Sequence, residues 1–400
     1  MTDYDVAALR ARFPALGEGA AHFDGPGGSQ TPDVVADAVA GVLRSAVSNR
    51  GLLTRSERRA DGVVLACRQA MGDFLGVEPR GVVFGRSMTQ ITYDIARALA
   101  KTWGPGDEVV VTRLDHDGNI RPWVHAAEAA GATVRWAGFD PETGVLDVAG
   151  IEAVLSDRTR LVACTAASNL IGTRPPVRAI TDVAHAAGAL AYIDGVHYSA
   201  HVFVDVAELG ADFYVCSPYK FLGPHCGVLA AAPALLEQVH PDKLLPQTDD
   251  VPERFELGTL PYELMAGVTA AVDFLAGIVE GSGDRRERLR RSMVAVEEHE
   301  TTLRRRIEAA VAELAGARQV GRAPERTPTL LFDFPGRSND DVAQVLADAG
   351  VNAPAGEFYA LEPSRWLGLG DAGGLRVGLA PYSDDADVDR LLDALRTAVS

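Results

Sequence analysis

The first two thirds of the chain alternate between short apolar runs and longer stretches in which apolar residues recur at helical spacing. The short runs that we predict as strands are Gly81–Phe84, Glu108–Thr112, Thr133–Trp136, Leu161–Thr165, Ala189–Ile193, Phe213–Cys216 and Gly227–Ala231. Helices are predicted between them at Thr89–Lys101, Val124–Ala130, Val148–Leu155 and Ile180–Ala187. Strands that are apolar on both faces and are separated by helices predict an α/β fold, with a mostly parallel sheet sandwiched by helices.

The pattern changes near residue 264. Leu264–Ile278 predicts an apolar helix, and Asp284–Leu314, which combines many Arg and Glu residues with an apolar stripe, predicts a long amphipathic helix that joins two regions. The tail predicts a small α+β domain made of strand Thr329–Phe334, helix Asp340–Ala349, loop Ala353–Gly370, strand Gly374–Leu379 and helix Ala386–Val399. We therefore predict an N-terminal segment (1–20) packed on the small domain, a large domain (21–270), and a linker helix with the small C-terminal domain (271–400).

Composition narrows the classes of function. The 400 residues include 38 Lys and Arg against 55 Asp and Glu, a net charge of −17. Such a charge disfavours nucleic acid and anionic membrane surfaces as partners. No apolar run has the length of a membrane span, and the start of the chain lacks the basic and apolar parts of a signal peptide. The four cysteines show no paired spacing, which indicates neither a disulfide framework nor a zinc knuckle. We expect a cytoplasmic protein.

Two candidate chemical groups stand where predicted strands end. Asp194 directly follows one strand, and Lys220 lies just beyond the next, before a Gly-Pro turn. Ligand sites in such sheets lie at the carboxyl ends of the strands. A pyridoxal phosphate site requires a lysine amine for the Schiff base and an acid that keeps the pyridine nitrogen protonated. Each residue alone is more typical of a surface lysine or a helix N-cap; the pair makes a cofactor site an equal alternative.

A Gly/Ser/Thr turn leads from the first predicted strand into a helix at Ser87-Met88-Thr89. Backbone N–H groups at a helix start bind anions, although the same pattern is also typical of plain helix capping. Ser217 could supply a hydroxyl to the same phosphate. His116 follows another strand, where a histidine can stack on an aromatic cofactor or move protons, or belong to a solvated turn.

Two competing kinds of site are weaker. His197 and His201 have the spacing of zinc ligands, but no H-E-x-x-H string or third ligand accompanies them, so we predict no metal. Ser217-Pro218-Tyr219-Lys220 matches the S-x-x-K string of acyl-serine enzymes, but their S-D-N and K-T-G strings do not occur.

The chain resembles the class V aminotransferase family of fold-type I pyridoxal phosphate enzymes, and within it the cysteine desulfurase and selenocysteine lyase branch. The resemblance covers most of the chain, and its motifs are Arg86-Ser87-Met88-Thr89-Gln90, Asp115-His116, Ser168-Asn169-Leu170-Ile171-Gly172-Thr173, Asp194-Gly195-Val196-His197, Ser217-Pro218-Tyr219-Lys220 and Leu375-Arg376-Val377-Gly378-Leu379. It implies a large cofactor-binding domain, a small C-terminal domain, and a homodimer that acts on an amino acid.

The resemblance also implies roles for individual residues around the cofactor ring. Lys220 is expected to be the Schiff-base lysine and Asp194 the partner of the pyridinium nitrogen. His116 is expected to stack on the ring and help to move protons. His197 stands where relatives usually carry a glutamine that binds the phenolic oxygen of the cofactor.

Other residues are implied to bind the phosphate and the substrate. Met88, through its backbone, Thr89 and Ser217 are expected at the phosphate, and Tyr219 stands where relatives often have a phosphate-binding histidine. Asn169, in a large-domain motif, and Arg376, in the small-domain motif, are expected to hold the substrate carboxylate. In the string Glu256-Leu257-Gly258-Thr259, the threonine is expected to reach the phosphate of the partner subunit.

One departure from the family pattern shapes the expected reaction. Desulfurases carry a cysteine on a small-domain loop, and the matching stretch here, Val351–Ala360, contains none. Persulfide chemistry needs a reactive, accessible thiolate. We therefore expect a carbon–sulfur or carbon–selenium lyase that works by β-elimination on cysteine or a cysteine conjugate. Transamination, epimerisation and decarboxylation remain alternatives, and a non-enzymatic module of the same fold is a remote one.

Overall fold

The structure, a computed structural model, describes residues 4–400; Met1, Thr2 and Asp3 of the predicted N-terminal segment lie outside them. The α-helices within these residues are α1 (Val6–Arg10), α2 (Asp33–Leu43), α3 (Arg55–Leu75), α4 (Met88–Ala100), α5 (Arg121–Ala130), α6 (Val148–Glu152), α7 (Val177–Ala186), α8 (Val206–Leu209), α9 (Pro233–Leu236), α10 (Tyr262–Ala276), α11 (Arg285–Ala312), α12 (Asn339–Asp348), α13 (Leu361–Trp366) and α14 (Asp385–Val399). Across 4–400, no helix combines the length and apolarity of a membrane span.

The strands of the same residues form three sheets. They are β1 (Ala21–His22), β2 (Val82–Gly85), β3 (Glu108–Thr112), β4 (Thr133–Ala137), β5 (Thr159–Thr165), β6 (Leu190–Asp194), β7 (Phe213–Cys216), β8 (Gly227–Ala231), β9 (Arg318–Val320), β10 (Thr329–Asp333), β11 (Val351–Asn352), β12 (Ala355–Gly356) and β13 (Gly374–Gly378). The large sheet has seven strands in the order β2-β8-β7-β6-β5-β3-β4. The predicted fold class, a mostly parallel sheet in an α/β protein, is confirmed.

Strand direction decides where the loops of the large sheet meet. The strands β7, β6, β5, β3 and β4 are parallel to their neighbours, whereas β8 is antiparallel to both β7 and β2. Only β8 therefore runs against the rest, and the carboxyl ends of the other six strands lie along one edge. That edge is where an open α/β sheet binds its ligands.

Both faces of the large sheet are covered, as its apolar strands require. In β3, Val110 belongs to one apolar core while Val109 and Val111 belong to another. The first core is completed by helices such as α3 and α10, and the second by α4 and α5. A side-chain period of two between two buried faces explains why the strand sequences show no polar alternation.

The C-terminal part has its own core around the sheet β12-β13-β10-β9 and helices α12 and α14. Ala21 and Phe23 pack in this core, and β1 pairs with β11 in parallel. Upstream of them, the Arg10 guanidinium binds the carboxylates of Asp384 and Asp387. The division of the chain at residues 20 and 270 stays a prediction.

The predicted loop Ala353–Gly370 is wrong in part, because it contains the helix α13. An ion–aromatic contact ties this helix to the large sheet. The Arg113 guanidinium lies 4.9 Å from the ring centroid of Trp136 and 4.7 Å from that of Trp366, and it binds Glu362 at 2.7 Å. The Trp366 indole also donates to the Phe139 carbonyl at 2.7 Å.

Candidate active site

A cavity of about 310 Å³ opens at the shared carboxyl edge of the large sheet. It is lined by the residues that follow β2, β3, β5, β6 and β7, and by Phe358, Tyr359 and Arg376 from the C-terminal part. The predicted site residues that line it are Lys220, Asp194, His116, His197, Met88, Thr89, Ser217, Tyr219, Asn169 and Arg376. Thr259 is not among them: it lines a separate cavity of about 250 Å³ together with His225 and Cys226.

Lys220 reaches the cavity from a single 3₁₀ turn, Pro218–Lys220, that follows β7. Its backbone N–H donates to the Ser217 carbonyl at 3.0 Å, and its amine donates to the Pro26 carbonyl. Burial, together with the charge of Arg376 and against the opposing effect of Asp194, lowers the pKa of the Lys220 amine to about 7. A substantial fraction of the amine is therefore neutral, and nucleophilic, at neutral pH.

Asp194 is the last residue of β6, and its side chain is buried. One carboxylate oxygen accepts the Val196 N–H at 2.9 Å. Burial raises the pKa of Asp194 to about 6, while that hydrogen bond and the Lys220 charge lower it. The turn requires glycine at 195, because a Cβ there would lie 1.9 Å from the Tyr214 ring. The acid therefore sits at a fixed place at the strand end, able to ionise beside a cation.

His116 lies in the loop after β3 with its ring in the cavity wall. Its Nδ1 accepts the Gly118 N–H at 2.9 Å, which places the proton of the neutral ring on Nε2. Burial lowers the pKa of His116 to about 4, and the charge of Lys220 adds to the effect. The ring is therefore neutral at pH 7. Its centroid lies 5.7 Å from that of Tyr359.

A second buried carboxyl, that of Asp115, precedes His116 in the chain. From the sequence, Asp115 was named only as part of a motif and given no role. Asp115 accepts hydrogen bonds from the Thr112 hydroxyl and, at 2.7 Å, from the Asn119 amide. The Trp123 indole in turn donates to Asn119 at 3.1 Å. Burial raises the pKa of Asp115 to about 8, with the charge of Asp194 contributing. Asp115 is thus mostly protonated at pH 7, and this network fixes the loop that carries His116.

The anion-binding turn leads from β2 into α4. The Ser87 hydroxyl accepts the Gln90 N–H at 3.2 Å, so this residue is the helix N-cap. The N–H groups of Met88 and Thr89 belong to the first helical turn and have no partner inside the helix. Gly227 on β8 supports the turn from below: a Cβ there would fall 2.3 Å from the Ser87 carbonyl carbon. Capping and anion binding are therefore compatible, because they use different N–H groups.

His197 contacts both parts of the molecule. Its Nε2 lies 3.0 Å from the Thr327 hydroxyl and 2.9 Å from the Thr329 hydroxyl, whereas its Nδ1 is buried without a hydrogen-bond partner among residues 4–400. Burial lowers the pKa of His197 well below its usual value, so the ring is neutral. His201, the other half of the zinc-like spacing, bonds to Glu300 at 2.9 Å. No cluster of three or more possible metal ligands occurs within residues 4–400.

The opposite wall comes mostly from the C-terminal part. Arg376 donates to the Asn169 carbonyl at 3.1 Å, and its guanidinium carbon lies 3.6 Å from the ring centroid of Phe358. Burial lowers the pKa of Arg376 to about 9, which still leaves it charged at pH 7. The Asn169 amide donates to the Phe358 carbonyl at 3.0 Å, and its oxygen is buried without a partner among the described residues. An amide and a guanidinium thus lie side by side at the cavity.

The segment without a cysteine forms an aromatic turn, Glu357–Tyr359. Phe358 and Tyr359 have φ angles of 53° and 56°, a left-handed conformation that is uncommon for aromatic residues. The hydrogen bonds that hold it include one from the Tyr359 N–H to the Glu357 carboxylate at 2.8 Å and one from the Asp117 N–H to the Tyr359 carbonyl at 2.7 Å. The turn brings Phe358 and Tyr359 to the cavity wall. Sequence reasoning noted the missing cysteine but gave these rings no role.

The cysteines of the chain cannot replace the missing thiol. Cys67, Cys164, Cys216 and Cys226 are all buried. Burial raises the pKa of Cys226 to about 12 and raises the pKa values of the other three well above the usual range. A thiolate is the reactive form of cysteine. These side chains therefore behave as small apolar core residues.

The cavity fits a flat aromatic phosphate that carries an amino acid. Its donor set combines a neutralisable amine, a buried acid, a neutral imidazole and the free N–H groups of a helix start, which are the groups that such a cofactor needs. Three buried polar atoms on residues that line the cavity, His197 Nδ1, Asn169 Oδ1 and Arg376 Nε, lack partners among residues 4–400. Buried polar groups are almost always paired, so a ligand is expected to pair them.

Comparisons with known proteins agree with this chemistry. The model of the family described as aminotransferase class-V matches residues 21–391. Protein MT3887 of Mycobacterium tuberculosis is 35% identical, with 98% of each chain covered. A cysteine desulfurase of Pectobacterium atrosepticum is 31% identical, again with 98% of each chain covered. The crystal structure of the cysteine desulfurase CsdA from Escherichia coli superimposes with a TM-score of 0.87 at 27% identity, covering 99% of this chain and 98% of that one.

Proposed function

The chain belongs to the aminotransferase class-V family, and from this premise we propose that it is a carbon–sulfur or carbon–selenium lyase that acts by β-elimination on cysteine or a cysteine conjugate. As a member of this family it is a pyridoxal phosphate-dependent enzyme. The observation that carries the proposal is the aromatic turn: the stretch Val351–Ala360, where the family resemblance implies a desulfurase cysteine, contains none and instead brings Phe358 and Tyr359 to the cavity. Elimination is the route that releases sulfur without a protein thiol.

The residues of the cavity divide the work of holding the cofactor. In the proposal Lys220 carries it covalently through its amine, and Asp194 pairs with the ring nitrogen. His116 would stack on the ring, and His197 would bind the phenolic oxygen. The first helical turn of α4, from Met88, binds the phosphate. Bound pyridoxal phosphate supplies an electron sink for negative charge at the substrate Cα.

Tyr219 and the remaining phosphate ligands complete this assignment. Thr89 and Ser217 line the cavity beside the helix start and are proposed to bind phosphate oxygens. Tyr219 stacks on His225, with centroids 4.6 Å apart and planes 10° apart. This stack is proposed to place the phenol at the edge of the phosphate site.

Other side chains bind the substrate and move its protons. Arg376 and the Asn169 amide are proposed to hold the carboxylate, because a guanidinium binds a carboxylate through two hydrogen bonds. Lys220 Nζ, whose pKa of about 7 suits a general base, accepts the proton from Cα. The Cβ–S bond then breaks with its electron pair leaving on sulfur, and His116, whose neutral ring carries its proton on Nε2, would protonate that sulfur. One water molecule hydrolyses the enamine that is released, so the products are a thiol, pyruvate and ammonia.

Product analysis tests the reaction type. The holoenzyme is incubated with cysteine, an S-alkylcysteine and selenocysteine, and thiol or sulfide, pyruvate and alanine are measured, with Lys220→Ala as the control. Release of pyruvate together with an equal amount of thiol supports the proposal. Alanine with protein-bound sulfur indicates desulfuration, and exchange of the amino group with a 2-oxo acid indicates transamination; either result contradicts it.

We also propose that the active unit is a homodimer in which Thr259 reaches the phosphate of the partner subunit. Its support is that Thr259 lines a different cavity from the other predicted ligands within one chain. Glu256 fixes this segment through a buried ion pair with Arg68 at 2.8 Å. Mixing Lys220→Ala with Thr259→Ala subunits should create dimers with one intact site and recover activity. If Thr259 acts within its own chain, the mixture stays as inactive as its parents.

A further inference from the structure

The histidine that stands in place of the glutamine implied by the family resemblance is held by hydroxyl groups from the C-terminal part of the chain. His197 Nε2 lies between the Thr327 and Thr329 hydroxyls, at 3.0 and 2.9 Å. All three side chains are buried. A neutral imidazole has one N–H and one acceptor nitrogen, so these hydroxyls decide which nitrogen carries the proton.

The two threonines differ in what else they can bind. The Thr327 hydroxyl also lies 3.3 Å from the Gly172 carbonyl, to which it can donate. Across residues 4–400, the Thr329 hydroxyl has no hydrogen-bond partner except His197 Nε2. If Nε2 carried the proton, the Thr329 O–H would be a buried donor without an acceptor. That arrangement is costly, whereas Thr329 donating to an unprotonated Nε2 leaves no hydroxyl unpaired.

The remaining ring nitrogen, Nδ1, is buried without a partner among residues 4–400, in a side chain that lines the cavity. The neighbouring His201 ring lies edge-on at 4.9 Å, but its own Nδ1 is engaged by Glu300. Since burial keeps His197 neutral, a proton absent from Nε2 must be on Nδ1.

We propose that Thr329 is a positioning residue that fixes His197 as the tautomer protonated on Nδ1, so that the imidazole presents an N–H donor to the cofactor. The proposal rests on the proposed function only in taking the acceptor to be the phenolic oxygen of pyridoxal phosphate. A glutamine at this position supplies its N–H donor by choosing the orientation of its amide. A histidine lacks that freedom, and the Thr329 hydroxyl supplies the missing constraint.

The first test reads the tautomer in the cofactor-free protein. Histidine labelled with ¹⁵N distinguishes a protonated from an unprotonated ring nitrogen, and His197→Gln identifies the signals of this residue. In the wild type we expect the proton on Nδ1. Thr329→Val keeps the branched shape of the side chain but removes the donor, and Thr327 can then accept from Nε2–H. The tautomer ratio should shift by about tenfold or more towards Nε2, as expected when a buried acceptor loses its donor.

Two matched variants control this experiment. Thr327→Val removes the hydroxyl that has another acceptor, and it should leave the proton on Nδ1. Thr329→Ser restores the donor and should restore the wild-type tautomer. A wild-type ring protonated on Nε2 overturns the proposal, a result that needs no variant to fold. An unchanged tautomer in Thr329→Val overturns it as well.

The second test uses the cofactor as a probe. Thr329→Val should bind pyridoxal phosphate about tenfold more weakly, because a lone pair on Nδ1 would face the phenolic oxygen, and the absorbance of the bound cofactor should change. Thr327→Val should match the wild type in both respects. These readouts do not depend on the reaction: if no thiol is released from any cysteine derivative, the lyase proposal fails while the tautomer result stands.

Discussion

The two walls of the cavity are built in different ways. The sheet-edge wall comes from loops that follow parallel strands, and its chemical groups, such as Lys220 and Asp194, are set in their protonation states by burial. The opposite wall is made of Arg376 and the aromatic turn, which come from the C-terminal part, together with the amide of Asn169 from the loop after β5. We infer that the first wall provides chemistry common to the family, whereas the second determines which substrate is held and how sulfur leaves.

The largest effect is expected at the sheet-edge wall, from Asp194→Asn. The substitution removes the carboxylate that we propose to pair with the ring nitrogen, so kcat should fall by about 100- to 1,000-fold, as when other fixed electrostatic partners are removed. Cofactor binding should persist, because the lysine and the phosphate turn remain. Steady-state kinetics and absorbance measure the two quantities.

Asp115→Asn is the matched control for this prediction. Asp115 is also buried, but its pKa of about 8 leaves it mostly protonated at pH 7, so an amide changes its charge little. Its kcat should fall by less than about tenfold. If kcat fell equally in Asp194→Asn and Asp115→Asn, the presence of a buried acid, rather than a negative charge beside the cofactor ring, would be what matters at this wall.

A smaller effect is expected at the opposite wall, from Arg376→Lys. The charge remains but the paired hydrogen bonds to a carboxylate are lost, so kcat/KM should fall by roughly 10- to 100-fold, mainly through KM. Arg365→Lys, at an exposed arginine bonded to Asp371, is the control and should change neither constant. A loss confined to kcat would mean that Arg376 acts in the chemical step rather than in substrate binding. The two walls would then not differ in the way inferred above.

The pH dependence of cofactor uptake probes the lysine directly. Only the neutral amine reacts with an aldehyde, so with a pKa of about 7 for Lys220 the rate should rise about tenfold per unit below pH 7 and level off above it. Asp194 raises this pKa, so Asp194→Asn should shift the profile to lower pH. Stopped-flow absorbance on the cofactor-free protein measures the rate. A profile centred near the usual lysine pKa would contradict the assigned burial.

The smallest effect is expected from Cys226→Ala. The thiol is buried, and its raised pKa of about 12 keeps it protonated, so kcat should stay within about twofold of the wild type. Thiol and pyruvate yields are the measurement. A loss of sulfur release with retained pyruvate would reveal a sulfur-carrying role and would end the distinction from desulfurases.

The sheet-edge wall was largely predictable from the sequence. Strands Glu108–Thr112, Phe213–Cys216 and Gly227–Ala231 have the predicted bounds, and Asp194 and Lys220 lie where predicted strand ends placed them. This worked because apolar strand patterns and the strand-end rule are local signals.

The opposite wall was predictable only where the family motifs reach. Arg376 and Asn169 were predicted and line the cavity, but Thr327 and Thr329 meet His197 across about 130 residues of chain, and no local pattern announces that contact. The left-handed backbone of the aromatic turn was hidden as well, because neither Gly nor Asn marks it. Helix α13 was not predicted because its six residues are too few to show a helical pattern.

The Arg113 guanidinium lies between the indoles of Trp136 and Trp366, so tryptophan fluorescence can report on this contact. One indole belongs to the sheet edge and the other to the short helix that follows the aromatic turn, so their emission should report any separation of the two. The contact between Arg113 and Trp366 fixes the chain only a few residues beyond Tyr359. A ligand that displaces the rings of Phe358 and Tyr359 can therefore move them only a short distance unless this contact changes. Tryptophan fluorescence recorded during substrate addition would show whether Arg113 and the two indoles separate.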